Sequence, residues 1–253
     1  MSSERTSATL RAIAVLETVA AANAPLTLIE IMAATALAKP TAHRILALLV
    51  EAGLLAREPA GKHYTPGPRL SSLSLRVLAG STWNGARHAI LKSLVRQVGE
   101  TCNLTTLDGA EVVYLDRVEA QWPLRLNFSS GSHVPAHACA SGKLLLALMP
   151  ARERRRILAA LPLERFTGTT LTDPQALAEE LGRIRRARLS TDNQEYLSGT
   201  VCVAVPVEDE THRVPAALAV HAPQSRMSLE QALDQVPALR DAATQLARTF
   251  AWA

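Results

Sequence analysis

The sequence has few cysteines and lacks long apolar runs. Its three cysteines, Cys102, Cys139 and Cys202, lie far apart and form no CxxC pair. This pattern argues against a disulfide framework or a zinc knuckle, and it suits a reducing compartment. No segment reaches the roughly 18 consecutive apolar residues of a membrane span, and the residues after Met1 do not resemble a signal peptide. We therefore expect a cytoplasmic protein.

Length and composition predict two folded domains. At 253 residues the chain suits one small and one medium domain, and 48% hydrophobic with 20% charged residues is enough apolar material for real cores. Residues 1–80 hold eight Lys/Arg against five Asp/Glu, whereas residues 81–253 hold nineteen against eighteen. The basic excess of the first third weakly favours a nucleic-acid partner there.

A first helix is predicted between Ser7 and about Ala22. Apolar residues in this segment follow the i, i+3, i+4 spacing of a helix with one buried face. That face comprises Ala12, Ile13, Leu16, Val19 and Ala20. A second apolar edge, which faces either a partner chain or the domain core, comprises Leu10, Ala14 and Ala21.

Capping signals predict two further helices. Thr27 and Glu30 have the spacing of a capping box, so a short second helix begins at Thr27. Pro40 suits the first turn of a helix and Gly53 suits a position just beyond a helix end. The third helix is therefore expected at about 40–52, with an inner face of Ala42, Ile45, Leu46, Leu49 and Ala52.

The outer side of the third helix and the segment after it have the features of a DNA reader. The N-terminal end of a recognition helix enters the major groove, where Arg44 could bond guanine O6 and N7 and Thr41 could reach a phosphate or a thymine methyl. Two short strands then flank a Pro/Gly turn with a basic tip, which predicts a wing. The predicted DNA-binding residues are Thr27, Lys39, Pro40, Thr41, His43, Arg44, Arg57 and Lys62.

Three longer segments resemble the IclR-type bacterial transcriptional regulators. That family's recognition helix, wing and exit into the linker are similar to ALAKPTAHRILALLVEAGLLAREPAGKHYTPGPRL. Its two effector-domain signatures are similar to GSHVPAHACASGKLLLALMP and DNQEYLSGTVCVAVPV. The resemblance extends from about Ser7 to about Phe250.

The resemblance implies an α+β protein in three parts: a winged helix-turn-helix domain at 1–67, a linker helix at 68–80, and a GAF-like α/β effector-binding and oligomerisation domain at 81–253. It implies a repressor or activator of a catabolic operon, with neither a cofactor nor catalytic activity. It also implies a homodimer or homotetramer on a palindromic operator in double-stranded DNA, since a two-fold dimer presents two recognition helices to two half-sites.

The order of elements after residue 80 predicts an antiparallel sheet with helices on one or both faces. Helices are expected at 81–98, 141–148, 151–160 and 173–187, and after a capping box formed by Ser228 and Gln231. Strands are expected at 101–107, 110–118, 124–128, 201–207 and 214–221.

By motif position, the family's effector site corresponds here to Ala140, Ser141, Gly142, Asp192, Thr200, Cys202, Ala219 and His221. A helix that starts near Ala140 would offer free N–H groups and its positive dipole end to a ligand carboxylate, while Asp192 is expected in a loop. Small residues including serine are common in the family at the positions of Ala219 and His221. The effector is therefore expected to differ from glyoxylate- or pyruvate-like acids, and an aromatic acid is the expected class. His221 is equally compatible with a strand residue at the sheet edge.

Two other sites fit part of the pattern. His133, His137 and Cys139 are competent zinc ligands within seven residues, but neither a fourth ligand nor a finger spacing accompanies them. A small-molecule-modifying enzyme would use Cys139 or Cys202 as nucleophile and His137 or His221 as base. No GxSxG or HExxH motif supports it, and a thiol in an apolar strand such as Cys202 is more often simply buried. A phosphate loop is excluded at the SGK run, because His137 stands where GxxxxGK requires glycine.

Overall fold

The computed structural model describes residues 7–22, 24–58, 62–79, 81–121 and 132–250. The chain forms two compact units, 1–77 and 78–253. Within the described ranges, no helix is long and apolar enough to cross a membrane.

The first unit packs three helices against a small antiparallel sheet. The helices are α1 (Ala8–Ala21), α2 (Leu28–Thr35) and α3 (Lys39–Glu51), and the strands are β1 (Leu26–Thr27), β2 (Leu55–Arg57) and β3 (His63–Pro66), in the order β1-β3-β2. A fourth helix, α4 (Pro68–Ala79), follows where a linker helix was predicted. The core comprises Val15, Val19, Ile31, Ile45, Leu46, Leu49, Leu55 and Tyr64. The three helices and the hairpin confirm the predicted winged helix-turn-helix architecture.

Local signals explain where these elements begin and end. The capping box is present: the Thr27 hydroxyl accepts a hydrogen bond from the Glu30 N–H at 3.3 Å, and the Glu30 carboxylate accepts one from the Thr27 N–H at 2.7 Å. Pro40 lies in the first turn of α3, and Gly53 follows α3 with a φ of +71°, which favours glycine. The two-residue strand β1 was not predicted, because its length leaves no alternation to detect.

The predicted inner face of α1 is partly wrong. Val15 and Val19 are buried, whereas Ile13 is 42% exposed and Ala20 is exposed. In an Ala-rich helix several stripes have the same spacing, so periodicity alone could not select the one that packs on α2 and β3. The apolar edge that includes Leu10 is also largely exposed.

In its described residues, the second unit is a six-stranded antiparallel sheet between two layers of helices. Its helices are α5 (Ser81–Val98), α6 (Ala140–Leu148), α7 (Ala151–Ala160), α8 (Pro174–Ala187), α9 (Leu229–Asp234) and α10 (Val236–Ala247). Its strands are β4 (Thr101–Asp108), β5 (Glu111–Val118), β6 (His133–Pro135), β7 (Ser190–Asn193), β8 (Thr200–Val207) and β9 (Ala216–Pro223), in the order β6-β5-β4-β9-β8-β7. Short 3₁₀ turns occupy Ala136–Ala138 and Arg248–Phe250.

Alternation along the strands separates two cores. On β8, Val203 and Val205 belong to the core beneath α5, α9 and α10, whereas Cys202 and Ala204 belong to the core beneath α6 and α8. Both faces of the sheet are thus covered, as one of the two predicted arrangements required.

One predicted strand cannot be compared with the structure, and two observed strands were not predicted. The strand predicted at 124–128 lies outside the described residues. Strand β6 was not predicted, and β7 was not predicted either, so Asp192 lies on a strand and not in a loop. The segment Ser190–Asn193 is polar and short, and it is a strand because it pairs with β8 along the sheet edge.

Candidate DNA-binding face and effector pocket

Helix α3 presents a polar outer face near its N-terminus. Because Ala42, Ile45, Leu46 and Leu49 are buried, the opposite side faces away from the core. Four of the predicted DNA-binding residues on this helix are exposed and Thr41 is half-buried; the exposed ones are Lys39, Pro40, His43 and Arg44. Ala52, expected on the inner face, is half-buried.

The other predicted DNA-binding residues lie on or beside the small sheet. Thr27 pairs with His63, and its hydroxyl is engaged in the capping box. Arg57 is exposed at the end of β2, with its guanidinium carbon 5.9 Å from the centre of the Tyr64 ring. Lys62 is exposed immediately before β3.

In the second unit, a cavity opens on the α6 side of the sheet. The register of the sheet places Asp192 opposite Cys202 and Cys202 opposite His221, so one row of side chains crosses β7, β8 and β9. Ala204 and Ala219 form part of the neighbouring row, and small side chains on this face leave space above the sheet. The cavity has a volume of about 450 Å³, including its open mouth.

Five of the eight predicted effector residues line this cavity: Ser141, Asp192, Thr200, Cys202 and His221. Ala140, Gly142 and Ala219 are buried but do not line it. The lining residues that sequence reasoning missed are Asn103, Thr105, Val112, Tyr114, Val134, Cys139, Tyr196 and Leu197. Half of these come from β4 and β5, where the alternation of side chains could be read from the sequence but the partner strands could not.

The ionisable groups of the cavity are shifted toward their neutral forms. Burial raises the pKa of the Asp192 carboxyl to about 7, although the Glu195 N–H donates a hydrogen bond to its Oδ1 at 2.6 Å. Burial lowers the pKa of His221 to about 4, and nearby Arg117 acts in the same direction. Burial also raises the pKa of the Cys139 thiol to about 12. At neutral pH the wall therefore offers a neutral imidazole, thiols and a partly protonated acid.

A buried ion pair holds the loop that completes the cavity. Lys143 on α6 is 1% exposed, and its Nζ lies 2.5 and 2.6 Å from the two carboxylate oxygens of Glu195. The Thr170 hydroxyl donates to the Glu195 carbonyl at 2.6 Å, and Phe166 packs edge-on against Tyr196. Sequence reasoning missed this pair, although one lysine within the apolar run of α6 was a signal for it.

The described geometry does not assemble the alternative metal site, and it disfavours the alternative catalytic one. His133 contacts Glu111 at the surface, and the Nε2 of His137 lies 2.9 Å from the Glu164 carbonyl, beneath Phe166. Among the described residues no group of three or more His, Cys, Asp or Glu side chains is arranged to hold a metal ion. Burial raises the pKa of the Cys139 thiol and that of the Cys202 thiol, which lies opposite His221, so both stay protonated, which disfavours nucleophilic attack.

Both units match known sequence families. Residues 8–59 match the IclR helix-turn-helix domain, and residues 84–248 match the C-terminal domain of the bacterial transcriptional regulator IclR. The chain belongs to the IclR family. It is 46% identical over 250 residues, spanning 99% of each chain, to the protein named "Probable transcriptional regulator SauR" from Cupriavidus necator.

Solved structures of IclR proteins have the same fold. The Thermotoga maritima IclR is 27% identical with a TM-score of 0.64, covering 96% of this chain and 98% of its own. An IclR homologue from Microbacterium hydrocarbonoxydans, solved in complex with 4-hydroxybenzoate, is 30% identical with a TM-score of 0.59 and the same coverage. The chain is thus a transcriptional regulator with a DNA-binding helix-turn-helix and an effector domain, and its relatives are regulators and not enzymes.

Proposed function

We propose that this regulator binds a palindromic operator as a homodimer or homotetramer, and that a small organic acid in the cavity beneath α6 controls its action on a catabolic operon. The observation that carries the proposal is the convergence of Ser141, Asp192 and His221 on one cavity beside the first turn of α6. Domain boundaries at 67/68 and 80/81 are part of the same proposal.

The cavity suits a carboxylate at its α6 end. The first N–H groups of a helix have no partner within the helix, and the N-cap residue Cys139 supplies no side-chain cap. Ser141 is 6% exposed and lines the cavity, so its hydroxyl can donate to a ligand oxygen, and protonated Asp192 can do the same.

An aromatic acid suits the rest of the cavity. Val112, Val134 and Leu197 supply apolar wall, and Tyr114 and Tyr196 supply aromatic wall. The Microbacterium homologue, which binds 4-hydroxybenzoate, supports this class.

Exposed apolar residues support a partner chain. Leu10 and Ile13 on α1, and Leu73 and Val77 on α4, are each about half exposed. In a homodimer such side chains would be covered, and two-fold symmetry would present two copies of α3 to a palindrome.

Loss of Asp192 is expected to remove the effector response. A thermal-shift screen of aliphatic and aromatic carboxylic acids should find a ligand that raises the unfolding temperature and changes operator binding. In Asp192→Ala this ligand should bind about 10- to 150-fold more weakly, the effect of losing a hydrogen bond to a charged group, while operator affinity stays unchanged. Asp234→Ala, an exposed carboxylate on α9, should respond like the wild type. Loss of operator binding in Asp192→Ala would instead indicate a structural role.

Loss of Arg44 is expected to weaken operator binding selectively. Arg44→Ala should cost about 1 to 3 kcal/mol on the operator in a gel-shift titration and relax base preference at one position, as expected for a bidentate guanine contact. Arg240→Ala, an exposed arginine on α10, is the control and should have no effect. Equal weakening on operator and random DNA would assign Arg44 to a phosphate.

A further inference from the structure

The outer side of α3 carries a large apolar side chain, Leu48, that is neither part of the core nor one of the predicted DNA-binding residues. Leu48 is 55% exposed, whereas Leu46 and Leu49 on the same helix are buried in the core. It follows Arg44 by four residues, so the two side chains lie one above the other on the helix surface. Ala47 and Glu51, its other outward neighbours, are also exposed.

The position of Leu48 agrees with a contact in the major groove. Helix residues four apart are separated by about 6 Å along the axis, and base pairs by about 3.4 Å. A helix lying along the groove therefore places Leu48 about two base pairs from the base that Arg44 contacts. The apolar group that a base pair presents in this groove is the 5-methyl of thymine.

We propose that Leu48 reads thymine, packing its side chain on the 5-methyl group about two base pairs from the base bonded by Arg44. The inference rests on the proposed function, because it requires α3 to lie in the major groove of a specific operator. It explains why an apolar side chain is held on the same face as a base-reading arginine, where a solvated face would carry polar groups.

Removal of single methyl groups from DNA tests this contact. The full-length protein is used to select a duplex from a random library, and each thymine of the selected site is then replaced by deoxyuracil, which lacks only the methyl. We expect one deoxyuracil substitution per half-site to weaken wild-type binding about threefold to fivefold. Its position should be about two base pairs from the guanine for which the Arg44→Ala variant loses its preference. Leu48→Ala should lose a similar factor on the thymine duplex and be indifferent to that substitution.

Two variants separate a base contact from a general effect. Leu48→Met keeps an apolar side chain and should retain the sensitivity to the methyl group. Ile29→Ala removes another exposed apolar residue, on α2, and should leave that sensitivity unchanged whatever its overall affinity. Circular dichroism melts confirm that each variant is folded.

The outcomes distinguish the inference from the function on which it rests. If wild type is indifferent to every deoxyuracil, or if Leu48→Ala loses as much as wild type at the same position, the thymine contact is wrong while the operator-binding proposal stands. If no duplex is enriched, the proposed operator binding fails and the inference fails with it.

Discussion

Replacing Lys143 by methionine is expected to lower the free energy of unfolding of the second unit by about 3 to 5 kcal/mol. The substitution keeps the apolar stem but leaves the Glu195 carboxylate buried without its partner, whose Nζ lies 2.5 Å away. Glu195 is also the residue whose N–H bonds Asp192, so its displacement would disturb the cavity wall. Urea denaturation followed by circular dichroism measures the loss.

Two further variants test the cause of that loss. Lys143→Met combined with Glu195→Gln removes both charges and should recover much of the stability, because no uncompensated charge remains buried. Arg183→Met breaks the exposed pair between Arg183 and Glu180 on α8 and should cost less than about 1 kcal/mol. If Lys143→Met cost no more than Arg183→Met, the buried pair would not stabilise the unit.

Replacing Gly142 by alanine is expected to destabilise the second unit by about 3 kcal/mol or to prevent its folding. Intrinsic propensity alone would predict the opposite, since alanine is favoured over glycine inside a helix by about 1 kcal/mol. A Cβ at this position, however, would lie 2.3 Å from the carbonyl oxygen and 2.4 Å from the Cα of Ala136. Both are backbone atoms of the 3₁₀ turn before α6, so neither can rotate away.

Gly182 supplies the matched control for this steric argument. It also lies within a helix, α8, but an added Cβ there meets only the guanidinium of Arg186 at 3.8 Å. Gly182→Ala should therefore stabilise the unit by about 0.5 to 1 kcal/mol in the same denaturation assay. Equal effects of the two substitutions would show that the close contact between α6 and Ala136 does not cause the loss of stability.

The DNA-binding unit could be predicted in detail because its signals are local. A capping box spans only four residues, and a glycine that ends a helix needs only a positive φ at its own position. Thr27, Pro40 and Gly53 therefore mark helix ends without knowledge of the rest of the chain. The buried face of α1 was predicted wrongly because burial is not a local property. Which of two equally spaced apolar stripes is buried depends on the elements that pack against it.

Residues of the candidate effector site could be predicted only where a family motif identified them. Ser141, Asp192 and Cys202 lie within the effector-domain signatures and do line the cavity, whereas Asn103 and Tyr114 lie in ordinary strands far away in the chain. Strand neighbours are chosen by sheet order, and β4 meets β9 across more than a hundred residues. Nothing in a strand's own residues states which strand will pair with it.

The sequence by itself determined the three helices and the hairpin of the DNA-binding unit and the alternation along the longer strands of the second unit, since each depends on neighbours a few residues apart. Its motifs also indicated the family. Only the tertiary structure decided that Asp192 lies on an edge strand in a row with Cys202 and His221, and that Lys143 meets Glu195 in the interior. Those contacts, and the pKa shifts that burial imposes on them, join segments that are distant in the chain.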